Sequence, residues 1–186
     1  MAVAQRIDAA AYERLALEEA GRFVELRDSM LVEKPAVSFG HARTIERFSR
    51  QLRPQLDPDD HLIFVESARL RGGESYLIPD LVVIPAEVER AAFDRDPHRL
   101  AVYDDPVPLV VEVWSPSTGA YDTRTKLPLY LARGDREIWF VDPFERTLSA
   151  SVRRADGTYE ETIHTAGIVE CASLPGVRVD LGALFG

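Results

Sequence analysis

The stretch from Pro108 to Trp114 is the most hydrophobic part of the chain and predicts a strand that is buried on both faces. Alternate residues of a strand project to opposite faces, so Glu112 shares its face with Val110 and Trp114. The opposite face carries Leu109, Val111 and Val113. A lone carboxylate inside a sheet is costly unless it is paired, neutralised or bound to a metal. Glu112 is therefore either a capped or salt-bridged core residue or part of a functional site.

Helical spacing of apolar residues predicts two helices in the first third of the chain. One runs from about Ala10 to Ala20 and ends at Gly21, which would form a left-handed C-cap. The other runs from His41 to Leu52 and is stopped by Pro54. This second helix should cover one side of a sheet.

Strands are predicted on both sides of a glycine turn. His61 to Ala68 and Tyr76 to Ile84 flank Gly72-Gly73, and Pro85 ends the second strand. Shorter strands are predicted from Arg22 to Leu26 and from Met30 to Val32. Residues 86–106 are polar with mixed charges, and no function follows from them.

The chain after Glu112 predicts a parallel crossover. A Ser-Pro-Ser-Thr-Gly turn leads to a short helix ending near Gly134, and then to a strand from Glu137 to Val141 with Trp139 and Phe140 in the core. A strand, a helix and a strand of this length join parallel neighbours by a right-handed crossover. Leu148 to Val152 and Tyr159 to His164 then predict a hairpin before a short closing segment.

Composition predicts one soluble globular domain over residues 1–186, with 46% hydrophobic and 28% charged residues. The single Cys171 excludes an internal disulfide and a multi-cysteine zinc site, and it is expected to be buried. A reducing cytoplasm fits this cysteine usage. The N-terminal residues resemble no signal peptide, and no stretch has the length of a membrane span, so no membrane association is expected.

The formal net charge of −9 opposes non-specific attraction to a polyanion and weakens a nucleic-acid interpretation. A local basic surface can still exist on an acidic protein. Four arginines at helical spacing would supply one, and their alternative interpretation is a solvated helix face. They are Arg43, Arg47, Arg50 and Arg53.

Asp80 adds a second carboxylate at the start of a buried strand, and Lys126 adds a cation. Two carboxylates can hold Mg²⁺, which polarises a phosphoryl oxygen and activates a water, while the lysine offsets charge on the phosphate. Pro128 predicts that the helix begins close to Lys126, which would place the ammonium beside the positive end of the helix dipole. The alternative role for Lys126 is an ion pair with Asp122, one helical turn earlier.

Four short motifs in order resemble the Uma-two family, a bacterial group within the PD-(D/E)xK nuclease superfamily. They are PDLVVI, LVVEVWSPST, the D-x-x-x-K-x-x-x-Y pattern and EIWFVDP. The N-terminal segment from YERLALEEAG to HARTIERF and the ending LPGVRVDLGALF are also similar to that family, so the resemblance covers nearly the whole chain.

The resemblance implies that Asp80 and Glu112 are metal ligands and that Lys126 is the lysine of the motif. The superfamily usually places this lysine two residues after the second acid, where this chain has Trp114. Lys126 would therefore reach the site from the following helix. The resemblance also suggests residues that surround the site or provide an additional metal ligand. They are Glu33 and His41, together with Asp122 and Tyr130 of the D-x-x-x-K-x-x-x-Y pattern.

The expected fold is α/β, a restriction-endonuclease-like mixed central sheet flanked by the His41 and Lys126 helices, with a C-terminal β hairpin. The expected function is an endonuclease that hydrolyses DNA with Mg²⁺, or Mn²⁺ in its place, and a homodimer would suit the cutting of two strands. Two alternatives stay open. One is a non-catalytic binding module on the same scaffold, and the other is a metal-dependent hydrolase of a small phosphoester.

Overall fold

The computed structural model describes residues 6–18, 21–34, 36–115 and 119–186, and for residues 119–124 it describes the backbone alone. Two sheets dominate this part of the chain. The first is a mixed sheet of six strands in the spatial order β11-β10-β9-β8-β6-β3. Its strands are β3 (His61–Val65), β6 (Leu81–Pro85), β8 (Leu109–Val113), β9 (Glu137–Asp142), β10 (Thr147–Arg153) and β11 (Tyr159–His164).

The second sheet has five strands in the order β2-β1-β5-β4-β7. They are β1 (Val24–Arg27), β2 (Met30–Glu33), β4 (Arg69–Gly72), β5 (Ser75–Leu77) and β7 (Val102–Tyr103). A two-stranded ribbon, β12 (Ile168–Glu170) with β13 (Arg178–Asp180), lies near the C-terminus. The described helices are α1 (Ala9–Leu17), α2 (Phe39–Leu52), α3 (Ala86–Arg95), α4 (Gly119–Arg133) and α5 (Leu181–Phe185).

The six-stranded sheet is covered on both faces. One face packs against α2, the ribbon and α5, with Phe48 of α2 against Trp139 of the sheet. The other face packs against α4 and against residues of the five-stranded sheet, with Val110 and Tyr130 in that core. The predicted division of β8 between two cores is therefore confirmed, and Glu112 shares a face with Val110.

The predicted parallel crossover is confirmed, because β8 pairs in parallel with β9 after the intervening α4. The predicted hairpin is also confirmed, since β10 pairs antiparallel with β11. Trp139 and Cys171 are buried, as expected, and Phe140 packs partly buried against the core. No described helix is long and apolar enough to cross a membrane.

Four strands, divided between the two sheets, lie where two were predicted around Gly72-Gly73, and one of them, β4, falls outside both predicted ranges. β3 and β6 pair in the six-stranded sheet, whereas β4 and β5 form a hairpin in the five-stranded sheet. The chain leaves β3 at Glu66, whose φ of 48° is left-handed, and it enters β6 through Pro79-Asp80. Both breaks fall at polar or turn-type residues, Glu66-Ser67 and Pro79-Asp80, which the predicted strands wrongly ran across.

The prediction that the Lys126 helix begins close to Lys126 was wrong. Helix α4 begins at Gly119, and Pro128 lies inside it. An internal proline removes one helical hydrogen bond and costs about 3 kcal/mol, but its fixed φ is compatible with a helix. The packing of Leu127, Tyr130 and Leu131 against the core offsets this cost. Because Lys126 lies about two turns inside the helix, it is not beside the positive end of the dipole.

The predicted left-handed C-cap at Gly21 was also wrong. Helix α1 ends at Leu17, with Glu18 in an extended conformation as its C-cap, and Gly21 has no positive φ. A different constraint selects glycine at position 21. A Cβ atom there would lie 2.0 Å from the carbonyl oxygen of Leu15. The close approach of the chain to the end of α1, rather than a special φ, therefore requires Gly21.

Candidate active site

The two predicted acids lie on neighbouring strands of the six-stranded sheet. Asp80 immediately precedes β6, Glu112 lies in β8, and these strands pair antiparallel. The backbone N–H of Val113 donates a hydrogen bond of 2.7 Å to Oδ2 of Asp80. Both side chains are about 2% exposed. The sequence signal that selected Asp80 and Glu112 thus led to two acids held side by side in a buried region.

Lys126 reaches Glu112 from α4. Its ammonium lies 3.0 Å from Oε1 and 3.2 Å from Oε2 of Glu112, and the residue is 1% exposed. The hydroxyl of Tyr130, one turn further along α4, donates a 2.5 Å hydrogen bond to Oε1. Burial, and then the nearby Glu112 carboxylate, raises the pKa of Tyr130 well above its usual value, so this phenol remains a donor. The helix therefore supplies two donors to one carboxylate.

Glu25 of β1 joins this group from the five-stranded sheet, and it was not predicted. Its Oε1 lies 3.1 Å from the Lys126 ammonium and accepts a 2.9 Å hydrogen bond from the N–H of Ile78. Its Oε2 is paired with Arg27. Burial would raise the pKa of Glu25, but Lys126 and Arg27 together outweigh burial and lower it. Lys126 therefore bridges acids from both sheets.

Asp80 is surrounded by three donors. The Lys34 ammonium lies 2.6 Å from Oδ1, and Nε2 of His41 lies 3.0 Å from Oδ2, which also accepts from Val113. Burial would raise the pKa of Asp80, but the Lys34 charge and the His41 hydrogen bond outweigh it and hold the pKa well below the usual range. Asp80 is consequently ionised at neutral pH, as a metal ligand or an ion-pair partner must be.

Lys34 is a second residue that sequence reasoning missed. Its ammonium contacts Glu66 at 3.1 Å as well as Asp80. Burial would lower the pKa of Lys34, but the carboxylates of Asp80, Glu112 and Glu66 together outweigh burial and raise it. Nothing in the local sequence marks this lysine, because it follows the mostly exposed edge strand β2. By contrast, Glu25 lies between Val24 and Leu26 in an apolar run, which is the same signal that identified Glu112.

The remaining predicted residues separate into two groups. His41 and Tyr130 contact the acids directly, as their place in the family pattern suggested. Glu33 lies in β2 as an exposed residue, paired across strands with Val24, and the described contacts of the site do not include it. The side chain of Asp122 lies outside the described residues, so the predicted Asp122–Lys126 pair is not addressed by the structure.

The predicted row of arginines along α2 and the residue after it is exposed at three of its four positions, and only Arg47 is partly buried. Arg47 donates a hydrogen bond of 3.0 Å to the carbonyl of Leu184 in α5, and Arg53 donates to Ser49. Arg43 and Arg50 are exposed. Part of the row therefore serves to attach the C-terminal elements to α2.

The sequence of the chain is similar to that of a known protein family. The family model of Uma2, described as "Putative restriction endonuclease", matches residues 9–182. The chain belongs to the Uma2 family. The site residues of this Uma2 protein all fall within the matched range, from Glu25 to Tyr130. No curated protein matches its sequence.

The fold of the Uma2 protein is similar to that of a solved structure from Anabaena variabilis, a putative nuclease belonging to DUF820. The TM-score is 0.66, with 16% sequence identity, and the match covers 87% of this chain and 89% of the other. At this identity the likeness concerns the fold. It confirms the expected α/β, restriction-endonuclease-like architecture with helices on a mixed sheet.

Asp80 and Glu112 of the Uma2 site offer the carboxylate oxygens that a hard divalent cation prefers. Mg²⁺ is commonly held by one or two carboxylates, with waters and substrate phosphate completing its shell. No group of three or more His, Cys, Asp or Glu in the described part of the chain is placed to hold a metal ion. A divalent cation at this site would therefore be held by Asp80 and Glu112. These two acids belong to a larger group of charged side chains: Glu25, Glu66, Asp80 and Glu112 contact Arg27, Lys34 and Lys126, and His41 contacts Asp80.

Proposed function

We propose that this Uma2 protein hydrolyses DNA phosphodiester bonds, with Mg²⁺ or Mn²⁺ held by Asp80 and Glu112. The observation that carries the proposal is the buried contact between the Lys126 ammonium and Glu112, at 3.0 Å, beside an ionised Asp80. The motif needs two acids and a lysine in one place, and in this proposal Lys126 of α4 would be that lysine instead of a residue at position 114. The family model, described as a restriction endonuclease, supports the same class of reaction.

The protein's own residues would fix the geometry of the reaction. The Val113 N–H and His41 orient Asp80, while Tyr130 orients Glu112. Lys126 would hold the attacking water or offset the negative charge that builds on the phosphate in the transition state. When bound, the metal ion supplies Lewis-acid polarisation of a phosphoryl oxygen and lowers the pKa of a coordinated water.

The proposal is tested by comparing two substrates under the same conditions. Plasmid DNA and a chromogenic phosphodiester are incubated with the protein in Mg²⁺, in Mn²⁺ and in EDTA. We expect metal-dependent cleavage of the plasmid that Asp80→Asn abolishes. Cleavage of the small ester alone would instead support a small-phosphoester hydrolase, which the net charge of −9 favours.

A metal titration separates an enzyme from a binding module. A ligand that binds only the folded state must raise the melting temperature. We expect Mg²⁺ and Mn²⁺ in the millimolar range to stabilise the parent protein. An unchanged melting temperature, together with intact plasmid, would favour the non-catalytic module.

Replacing Lys34 tests whether Asp80 binds the metal ion, because the Lys34 ammonium contacts Oδ1 of Asp80. Lys34→Met should lower the stability of the metal-free protein by about 3–5 kcal/mol, since it leaves a buried carboxylate without its cation. The rise in melting temperature on adding Mg²⁺ should then be larger than in the parent. Differential scanning fluorimetry across a Mg²⁺ series measures both effects.

Lys34→Arg is the matched control, because it retains the positive charge, and it should respond to Mg²⁺ much as the parent does. An equal or smaller Mg²⁺ response in Lys34→Met would contradict the idea that Lys34 and the metal ion compete for Asp80.

A further inference from the structure

The six-stranded sheet ends in two edge strands, β11 and β3, whose sequences differ in character. An edge strand presents unpaired backbone groups, and natural proteins protect it with charged residues, proline, shortness or a covering segment. β11 carries the exposed acids Glu160 and Glu161. β3 has the sequence His-Leu-Ile-Phe-Val, without proline, lysine, arginine or an acid. Its own residues therefore give β3 none of the usual protection.

The edges of the five-stranded sheet are protected in other ways. The edge strand β7 is only two residues long, Val102–Tyr103. The edge strand β2 is bridged at Met30 by Arg6, and the Ile7 N–H donates a 2.9 Å hydrogen bond to the carbonyl of Ser29. Among the edges of the two large sheets, as far as the structure describes the chain, β3 alone combines apolar residues with an uncovered edge.

The pairing of β3 with β6 fixes which of its backbone groups point outward. At the end of β3, the Glu66 N–H donates a 3.1 Å hydrogen bond to the carbonyl of Asp80, so position 66 faces β6. Hydrogen-bonded and non-hydrogen-bonded pairs alternate along antiparallel strands. The odd positions His61, Ile63 and Val65 therefore face away from β6. Within the described residues, the N–H groups of Ile63 and Val65 have no hydrogen-bond acceptor.

The side chains of β3 are also incompletely covered. All five residues of β3 are half-buried, whereas the neighbouring β6 is buried over its first four residues and β8 throughout. Ile63 and Val65 pack against the core that includes α2, while Phe64 packs against the core on the opposite face. Apolar surface on both faces of β3 thus stays partly exposed at the edge where the backbone groups are unpaired.

The sequence of β3 is complementary to a second copy of itself. In an antiparallel pair with a two-fold axis at Ile63, the outward N–H and C=O of one Ile63 bond those of the other. Val65 of each copy then lies opposite His61 of the other, and its N–H reaches the outward carbonyl of His61. Leu62 lies opposite Phe64, which is a favourable apolar pair. Two-fold interfaces of this self-complementary kind are the commonest in homo-oligomers.

Charged residues limit this pairing to the apolar segment. In the same register Asp60 lies opposite Glu66 of the second copy, and like charges oppose each other there. Glu66 is already paired with Lys34 at 3.1 Å, which reduces the repulsion. The left-handed φ of Glu66, 48°, also ends the strand at this point. The net charge of −9 on each copy adds a longer-range repulsion that salt screens.

We propose that β3 is a dimerisation edge, where the β3 strands of two copies pair antiparallel about a two-fold axis at Ile63 and make the six-stranded sheet continuous across both copies. The association is a property of the sheet edge and is independent of the proposed nuclease activity. Asp80 lies beside the end of β3, so the two copies would hold their Asp80 backbones about 25 Å apart, given a rise of about 3.3 Å per residue and about 4.8 Å per strand.

Sedimentation velocity over a concentration series tests the interface. We expect the parent to sediment as a dimer, at twice the chain mass of 20.8 kDa, and Ile63→Lys as a monomer, because two ammonium groups would meet at the axis. Ile163→Lys is the matched control, since Ile163 is an exposed isoleucine on β11 at the opposite edge of the same sheet, and this variant should stay dimeric. A monomeric parent, or a dimer that only Ile163→Lys dissociates, would overturn the proposal.

Cysteine cross-linking tests the register and decides the question even if Ile63→Lys fails to fold. Hydrogen-bonded antiparallel partners have Cα atoms about 5.5 Å apart, within the range that a disulfide spans. Ile63→Cys should therefore form a covalent dimer on oxidation. Val65→Cys should not, because it would lie about 13 Å along the strand from its counterpart. The parent, whose Cys171 is buried, is the control for other disulfides, and equal cross-linking of both variants, or of neither, would reject the pairing at Ile63.

Discussion

Lys126→Met should lower turnover by about two to three orders of magnitude, the cost of removing one preorganised group that stabilises transition-state charge. It should also destabilise the fold by about 3–5 kcal/mol, because Glu25 and Glu112 would remain buried around an apolar side chain. Steady-state cleavage of DNA and urea denaturation measure the two effects separately. The loss of stability is expected because Lys126 also contacts Glu25. This lysine therefore has a structural role besides its proposed role in the reaction.

A double variant separates these roles. Glu25→Gln combined with Lys126→Met removes one of the two carboxylates that Lys126 contacts, so part of the lost stability should return. Turnover should not return, because the ammonium is still missing. If the double variant regained full turnover together with stability, Lys126 would be a structural residue alone and its proposed role in the reaction would be rejected.

Glu112→Gln should abolish stimulation by divalent metal while the protein stays folded. Glutamine has the size of glutamate, and its carbonyl can still accept from Tyr130 or Lys126, while Lys126 retains Glu25. We expect a stability loss of about 1–3 kcal/mol, which is typical of weakened buried hydrogen bonds. The assays are DNA cleavage and melting temperature, each over a series of Mg²⁺ and Mn²⁺ concentrations.

Glu25→Gln is the matched control, since it makes the same change in the other carboxylate partner of Lys126. Glu25 lies in the five-stranded sheet, whereas Glu112 lies on the strand that neighbours Asp80, so we expect this variant to keep its response to metal. Equal loss of the metal response in both variants would show that Glu112 is no more important for metal binding than Glu25. If Glu112→Gln unfolded, Glu112 would be a structural acid, and its burial would have no connection with metal.

Local pattern was sufficient for strand β8, which carries Glu112, and for helix α2, which carries His41. Strand β8 combines alternation with burial on both faces, and α2 has apolar residues at helical spacing, so each was predicted close to its observed bounds. The interruption of an apolar run by Glu112 identified it without any structure. Glu25 breaks an apolar run in the same way, and the same argument applied there would have identified it.

Helix α4 and the strands around Gly72-Gly73 show where local pattern fails. Pro128 disfavours a continuous helix locally, but packing against the core outweighs its cost and carries the helix back to Gly119. The strands predicted from His61 to Ala68 and from Tyr76 to Ile84 were too long for a different reason, because they ran across Glu66-Ser67 and Pro79-Asp80, where the chain passes between the two sheets. The sequence marked these breaks, but only the pairing of the strands showed that they separate two sheets.

By itself, the sequence determined the strand and helix faces, the family motifs and the two acids, because these depend on neighbouring residues and on the cost of burying a charge. The tertiary structure alone decided which cations neutralise those acids. Lys126 reaches Glu112 from an adjacent helix, and it also contacts Glu25, which lies in the other sheet. Lys34 reaches Asp80 across 46 positions of the chain. Ion pairs between distant segments depend on how the sheets pack, and no periodicity in the sequence records that packing.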